Sequence, residues 1–167
     1  MKKPAIILTL FTLLIFSRGS QAQTSGVGAG IIVGGPTGIS AKFWTSSINA
    51  LDIAIGWSDG TRWERFGDNV YYYGSQSYLH FNADYVWHDF DLIKTDQRLP
   101  LYYGVGLDYE SGDALPTAVG VRGVIGLDWM PYAVPLDVFV EMAPVLYVAP
   151  ATAMGVDASL GARFFFH

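Results

Sequence analysis

No cysteine occurs in the 167 residues, so the chain offers no disulfide framework, no thiol chemistry and no cysteine for lipid attachment. Basic residues are scarce: ten Lys and Arg stand against fifteen Asp and Glu. Three of the ten (Lys2, Lys3 and Arg18) fall before residue 22, leaving seven against fifteen beyond it and a formal net charge of −8. So acidic a chain does not hold a phosphate backbone, which excludes nucleic acid as a partner. Past residue 22 no apolar run approaches the roughly 20 residues that a spanning helix needs. A helical period is also almost missing. Histidine is limited to His80, His88 and His167, with no metal-ligand spacing among them.

The one long apolar run is Ala5–Phe16, preceded by Lys2 and Lys3 and followed by Ser20-Gln21-Ala22, with small residues at the −3 and −1 positions. This is the pattern of a cleaved secretory signal, Met1–Ala22. Residues 23–167 are then expected to form a single domain. What the chain has in quantity is nineteen glycines and 15% aromatics, a composition that points to strands and turns.

The clearest pattern lies near the C-terminus. Met154, Val156, Ala158, Leu160, Ala162, Phe164 and Phe166 share one parity, while Gly155, Asp157, Ser159, Gly161 and Arg163 share the other. Successive side chains of a strand point to opposite faces, so this segment has one apolar wall and one small or charged wall. Leu136–Leu146 repeats the pattern, with Asp137 and Glu141 on its polar side. Segments of about eleven residues match the roughly 9–11 that a tilted transmembrane strand needs. Eight such segments follow Gly26, an even number suited to a closed antiparallel ring, and closure matters where lipid offers no partner for an open edge. The expected fold is all-β: an eight-stranded antiparallel up-and-down transmembrane β-barrel. Its outer loops are expected at Gly34–Gly38, Asp59–Gly74, Glu110–Thr117 and Ala149–Thr152. Trp63, Phe66 and Tyr71 to Tyr73 in the longest loop read either as a contact surface or as an extension of an aromatic belt. Pro144, in mid-strand, removes a ladder hydrogen bond and is expected at a bulge over Ala143–Val145.

The inward parity gathers a charge network: Lys42, Asp52, Asp84, Asp108, Arg122, Asp128, Asp137, Glu141, Asp157 and Arg163. An eight-stranded interior is just wide enough for side chains to fill, and charges buried there must be paired. If strands six and seven turn at Tyr132–Ala133, Arg122 lies opposite Ala143 and diagonal to Glu141. If seven and eight turn near Pro150, Arg163 lies opposite Phe139 and diagonal to Asp137 and Glu141, and Glu141 bridges both arginines. Inward glycines at 104, 106, 120, 126, 155 and 161 leave room for water along one wall. Trp44, Trp57, Trp87, Tyr109, Trp129, Phe164 and Phe166 sit near strand ends and are expected to form two aromatic girdles.

No catalytic, cofactor-binding or metal site is assigned. His80 shares a strand face with Asn82 and Asp84, but Ser77 has the opposite parity, so no serine stands beside it.

Several pieces of sequence carry a resemblance to a family. They are Gly34-Gly35-Pro36-Thr37-Gly38 with Lys42 and Trp44, Pro100–Gly106, Val121-Arg122-Gly123, Pro135–Glu141, Ala143-Pro144-Val145 and Gly161–Phe166. In these the chain resembles small OmpA/OmpX-like outer-membrane barrels, in particular an uncharacterised eight-stranded family first noticed in spirochaetes. The resemblance implies outer-membrane location and makes Pro144 an expected feature. It also implies recognition of Phe164–Phe166 by the outer-membrane assembly machinery, although His167 stands where the final phenylalanine is usual. The expected function is a non-enzymatic structural and interaction barrel with a closed lumen. Its neighbours are outer-membrane lipid and lipopolysaccharide, its loops are free for a ligand the sequence does not identify, and no cofactor is implied. A small pore and a lipid-A-modifying enzyme are the alternatives.

Overall fold

The computed structural model describes residues 24–66, 69–112 and 115–166, without the side chains of 60–76 and 115. The leader expected at Met1–Ala22 and the terminal His167 lie outside them. Eight strands follow one another: β1 (Val27–Gly34), β2 (Thr37–Trp44), β3 (Asn49–Phe66), β4 (Asn69–Asp89), β5 (Leu101–Gly112), β6 (Leu115–Trp129), β7 (Leu136–Ala149) and β8 (Ala153–Phe166). Each is antiparallel to the next, and β8 returns to β1 with Val27 opposite Phe166 and Gly34 opposite Ser159. The expected eight-stranded up-and-down ring is what forms, and it is closed.

Alternation explains the strands and sorts their side chains. In β7, Asp137, Phe139, Glu141, Ala143, Val145 and Tyr147 are buried, while Val140, Met142, Leu146 and Val148 are exposed. The same alternation runs round the ring, with Ile31, Ile39, Val105, Leu107, Val156 and Leu160 outside and the ionised residues inside. This inverts the usual sorting of a water-soluble domain.

Three boundaries differ from the expectation. The segment Asp59–Gly74, expected as a loop, is mostly a two-stranded ribbon: β3 runs to Phe66 and β4 starts at Asn69, with a bulge between Gly60 and Arg62. Pairing with β2 ends at Trp57 and pairing with β5 begins at Leu79, so the ribbon stands beyond the ring. Its Thr, Trp, Val and Tyr residues favour strand over loop. Glu110 likewise belongs to β5 and Thr117 to β6, which shortens that loop. In the first hairpin Thr37 is already paired, and Gly34, at φ +130°, makes the turn while its N–H donates to the Thr37 hydroxyl at 3.0 Å.

The expected bulge at Pro144 is replaced by a gap. Arg122 pairs with Val145 and Ile125 with Met142 in one register, and between them the β6–β7 ladder lapses opposite Gly123 without an inserted residue. Pro144 still lies opposite Val156 of β8. At the end of the ring where β2 and β8 finish, the segment 90–100 joins β4 to β5 and is mostly exposed, with Phe90 turned toward the interior. The Asp89 carboxylate caps it by accepting the N–H groups of Asp91 and Leu92, and the Phe90 ring lies 6.5 Å from Trp44 and 6.1 Å from His88.

Candidate functional site

Nine of the ten residues of the expected charge network are buried inside the ring, and Asp157 is partly exposed at its mouth. They fall into two groups, one at each end. Near the finish of β2 and β8, Lys42 Nζ is 2.5 Å from Asp128 Oδ2, 3.4 Å from Asp137 and 3.7 Å from Asp52. Arg163 pairs with Asp137 and Asp52 at 3.2 Å each, donates from Nε to Ser40 Oγ at 2.9 Å, and lies 3.9 Å over the Phe139 ring. His88, read as isolated in the sequence, belongs to this group: its Nε2 is 3.0 Å from both Asp128 Oδ2 and Lys42 Nζ.

Toward the hairpin end, Arg122 is the centre. It lies 3.2 Å from Asp84 and 3.2 Å from Glu141, with longer contacts to Asp157 at 3.5 Å and Asp108 at 3.8 Å. Glu141 also accepts the Tyr102 hydroxyl at 2.7 Å. The register decides these partners. Asp84, Gly106 and Arg122 are neighbours across β4, β5 and β6, and a β-carbon at Gly106 would collide with the Asp84 carboxylate. Tyr102, Gly126 and Glu141 repeat the arrangement one strand on.

The expected pairing of Glu141 with both arginines is half met. Arg122 stands opposite Val145 and Arg163 opposite Asp137, each two residues from the expected partner. The described carboxylate partners of Arg163 are therefore Asp137 and Asp52. Side chains lie against the inward glycines that a small pore would use. Tyr102 covers Gly126, Phe139 covers Gly161, Tyr147 covers Gly155, Val145 and Tyr147 cover Gly120, Asp84 covers Gly106 and Val86 covers Gly104.

Of the aromatic set, Trp57, Tyr109, Trp129 and Phe166 are exposed on the outside; Trp87 and Phe164 are partly buried there. Trp44 is the exception. It shares the parity of Lys42 and packs inside, its ring 4.5 Å from His88.

Ser58 is the residue that sequence reasoning missed. Its Oγ is 2.8 Å from His80 Nδ1, and His80 Nε2 is 2.7 Å from Asp108 Oδ2. Ser58 carries the inward parity of Asp52, which the sequence shows, but its place beside His80 follows from the β3–β4 register, in which Gly56 pairs with His80. Above these residues a cavity of about 380 Å³ opens at the hairpin end, lined by Ser58, Asp59, Tyr78, Glu110, Tyr147 and Asp157 among others.

Chemically, the imidazole has two settings. With Nε2–H donated to Asp108, Nδ1 accepts the Ser58 hydroxyl proton, the order of a nucleophile and its base. Such a nucleophile also needs donors for a developing oxyanion. Around this cavity the Gly34 N–H goes to Thr37, the Gly35 N–H to Ala158 and the Tyr147 hydroxyl to Glu110. With Nδ1–H donated to Ser58 instead, the Nε2 lone pair faces Asp108 and Asp157, a ligating arrangement. No family model, curated protein or solved structure matches the chain.

Proposed function

We propose that this chain is an outer-membrane β-barrel: a structural and interaction barrel, closed within by ion pairs, that presents its hairpin end to partners. The observation that carries the reading is the inverted sorting. Ile31, Val105, Leu160 and Val156 are between 57% and 66% exposed, and Lys42, Asp128 and Asp137 are fully buried. Apolar surface continuous round a ring far exceeds the few hundred Å² that soluble monomers usually leave open. A hydrocarbon surround removes that cost and requires the closed hydrogen bonding that this ring has. Trp57 and Tyr109 toward the hairpin end, with Trp129 and Phe166 toward the other, suit two interfacial belts.

Ion pairs that cross from β2 to β6 and from β6 to β8 favour a closed interior over a pore. The resemblance to small OmpA/OmpX-like barrels agrees with this reading. It makes lipid and lipopolysaccharide the outer neighbours and the aromatic end of β8 the assembly signal. Fractionation tests the proposal. The protein is expected in the outer-membrane fraction, resistant to carbonate, with gel mobility that changes on boiling. Recovery in soluble periplasmic extract would reject it.

A further inference from the structure

We propose that His80, Asp108 and Asp157 bind a divalent metal ion, zinc in the first instance, at the hairpin end of the barrel interior. The three donors come from β4, β5 and β8, and one ligand atom from each lies within 4.8 Å of the others. His80 Nε2 is 2.7 Å from Asp108 Oδ2 and 3.8 Å from Asp157 Oδ2. Ligands held about 2.0–2.1 Å from a tetrahedral zinc ion are roughly 3.3 Å apart. The two observed separations straddle that value, so an ion asks for side-chain shifts of about half an ångström in these two distances.

The other end of the barrel supplies the comparison. There His88 Nε2, Asp128 Oδ2 and Asp137 Oδ2 surround the Lys42 ammonium at 3.0, 2.5 and 3.4 Å. His80, Asp108 and Asp157 form the same donor set without a lysine. Among the described residues Arg122 is the nearby cation, but its shortest ion pairs are with Asp84 and Glu141, which leaves Asp108 and Asp157 at 3.8 and 3.5 Å.

Charge points the same way. Asp52, Asp128 and Asp137 face Lys42 and Arg163 at one end, close to balance. At the other end, among the described residues, Asp84, Asp108, Glu141 and Asp157 face Arg122. Buried carboxylate that no cation offsets is costly, and a doubly charged ion relieves it.

Two details suit a ligand site. Asp108 is 1% exposed, and its Oδ1, like those of Asp128 and Asp137 around Lys42, has no hydrogen-bond partner among the described residues, so it is free for a second bond to a cation. Ser58 at His80 Nδ1 fixes the ring as the hydrogen-bonded neighbours of metal-bound histidines do. The cavity of about 380 Å³ gives an entry path, with Asp157 on its wall. One imidazole nitrogen with carboxylate oxygens suits zinc better than calcium, which takes six or more oxygens. The site stands on side-chain geometry and holds whether or not the barrel lies in a membrane.

The test uses the purified, folded protein, stripped with chelator and titrated with zinc by calorimetry, with bound metal measured after gel filtration. One zinc per chain is expected. Affinity should fall at least tenfold in Asp157→Asn and in His80→Gln, and stay unchanged in Asp91→Asn. Ser58→Ala should keep the stoichiometry and weaken binding by about 10–100-fold, the usual effect of losing a hydrogen bond behind a ligand. Cobalt in place of zinc should give a visible absorption band in the wild type, so the site can be judged even where a variant misfolds. Failure of the folded wild type to take up zinc, or undiminished binding in both ligand variants, overturns the proposal. Labelling of Ser58 by a fluorophosphonate that zinc does not suppress also overturns it, in favour of a nucleophilic serine.

Discussion

Gly106 lies between Asp84 and Arg122 on the inner wall, and Gly126 between Tyr102 and Glu141. In both places a missing side chain on the middle strand lets two large groups meet across it. Gly126→Val puts methyl groups where the Tyr102 ring lies, and Tyr102 loses its bond to Glu141. Overpacking of this kind costs about 1–3 kcal/mol. Urea unfolding of the variant should show that loss, and a midpoint equal to wild type would deny the packing role. Arg122 and Glu141, 3.2 Å apart, are in direct contact. Their substitutions by Met and Gln should therefore be non-additive, with a coupling energy of about 0.5–3 kcal/mol. Additive effects in the double-mutant cycle would remove Glu141 as a partner of Arg122.

Strands are the scale at which the sequence was most legible, and β7 shows how far that went. Alternation assigned Asp137 and Glu141 to one face and Val140 and Met142 to the other, and each lies where parity puts it. Parity, however, survives any even slip of register. β6 against β7 and β7 against β8 are each offset by two residues from the expected hairpins, so the faces were right and Asp137 is the expected neighbour of Arg163, while Asp52 stands in place of Glu141 as its other ion pair. Register is set by turn geometry and loop length, which alternation does not encode. The same logic hid the partner of Ser58: alternation puts Ser58 on the polar wall with Asp52, but the β3–β4 register that brings it to His80 runs on through a ribbon that reads as a loop. Trp44 was misplaced for another reason: its position at a strand end was weighed above its parity, which it shares with Lys42. Along β8, Leu160 is 57% exposed between the buried Ser159 and Gly161. Under the proposed lipid surround, Leu160→Arg should cost about 2–4 kcal/mol near mid-height. Folding equilibria in lipid vesicles measure this directly, and an unchanged value would reject a hydrocarbon-facing position.

At the scale of the whole molecule, ion pairs and stacked rings cross the interior. Lys42 on β2 reaches Asp128 on β6, Arg122 on β6 reaches Asp157 on β8, and Phe90 lies against the Trp44 and His88 rings at the far end. Such cross-ring pairs are hard to separate, since removing one partner strands a buried charge. Protein reconstituted in planar bilayers should therefore give no steady single-channel conductance, and reproducible unitary currents would count against a closed interior.

Because β8 lies edge to edge with β1 from Val27 to Gly34, the earliest strand and the latest are stitched into one seam. Loop-closure entropy makes so distant a union the dearest step of assembly, and nothing nearer along the polypeptide repays it in advance. A molecule interrupted before Ala153 would keep two raw borders and would lack Arg163, leaving Asp137 without its guanidinium. Half a circle is therefore not a smaller version of this object, and wholeness arrives only with the last stitch.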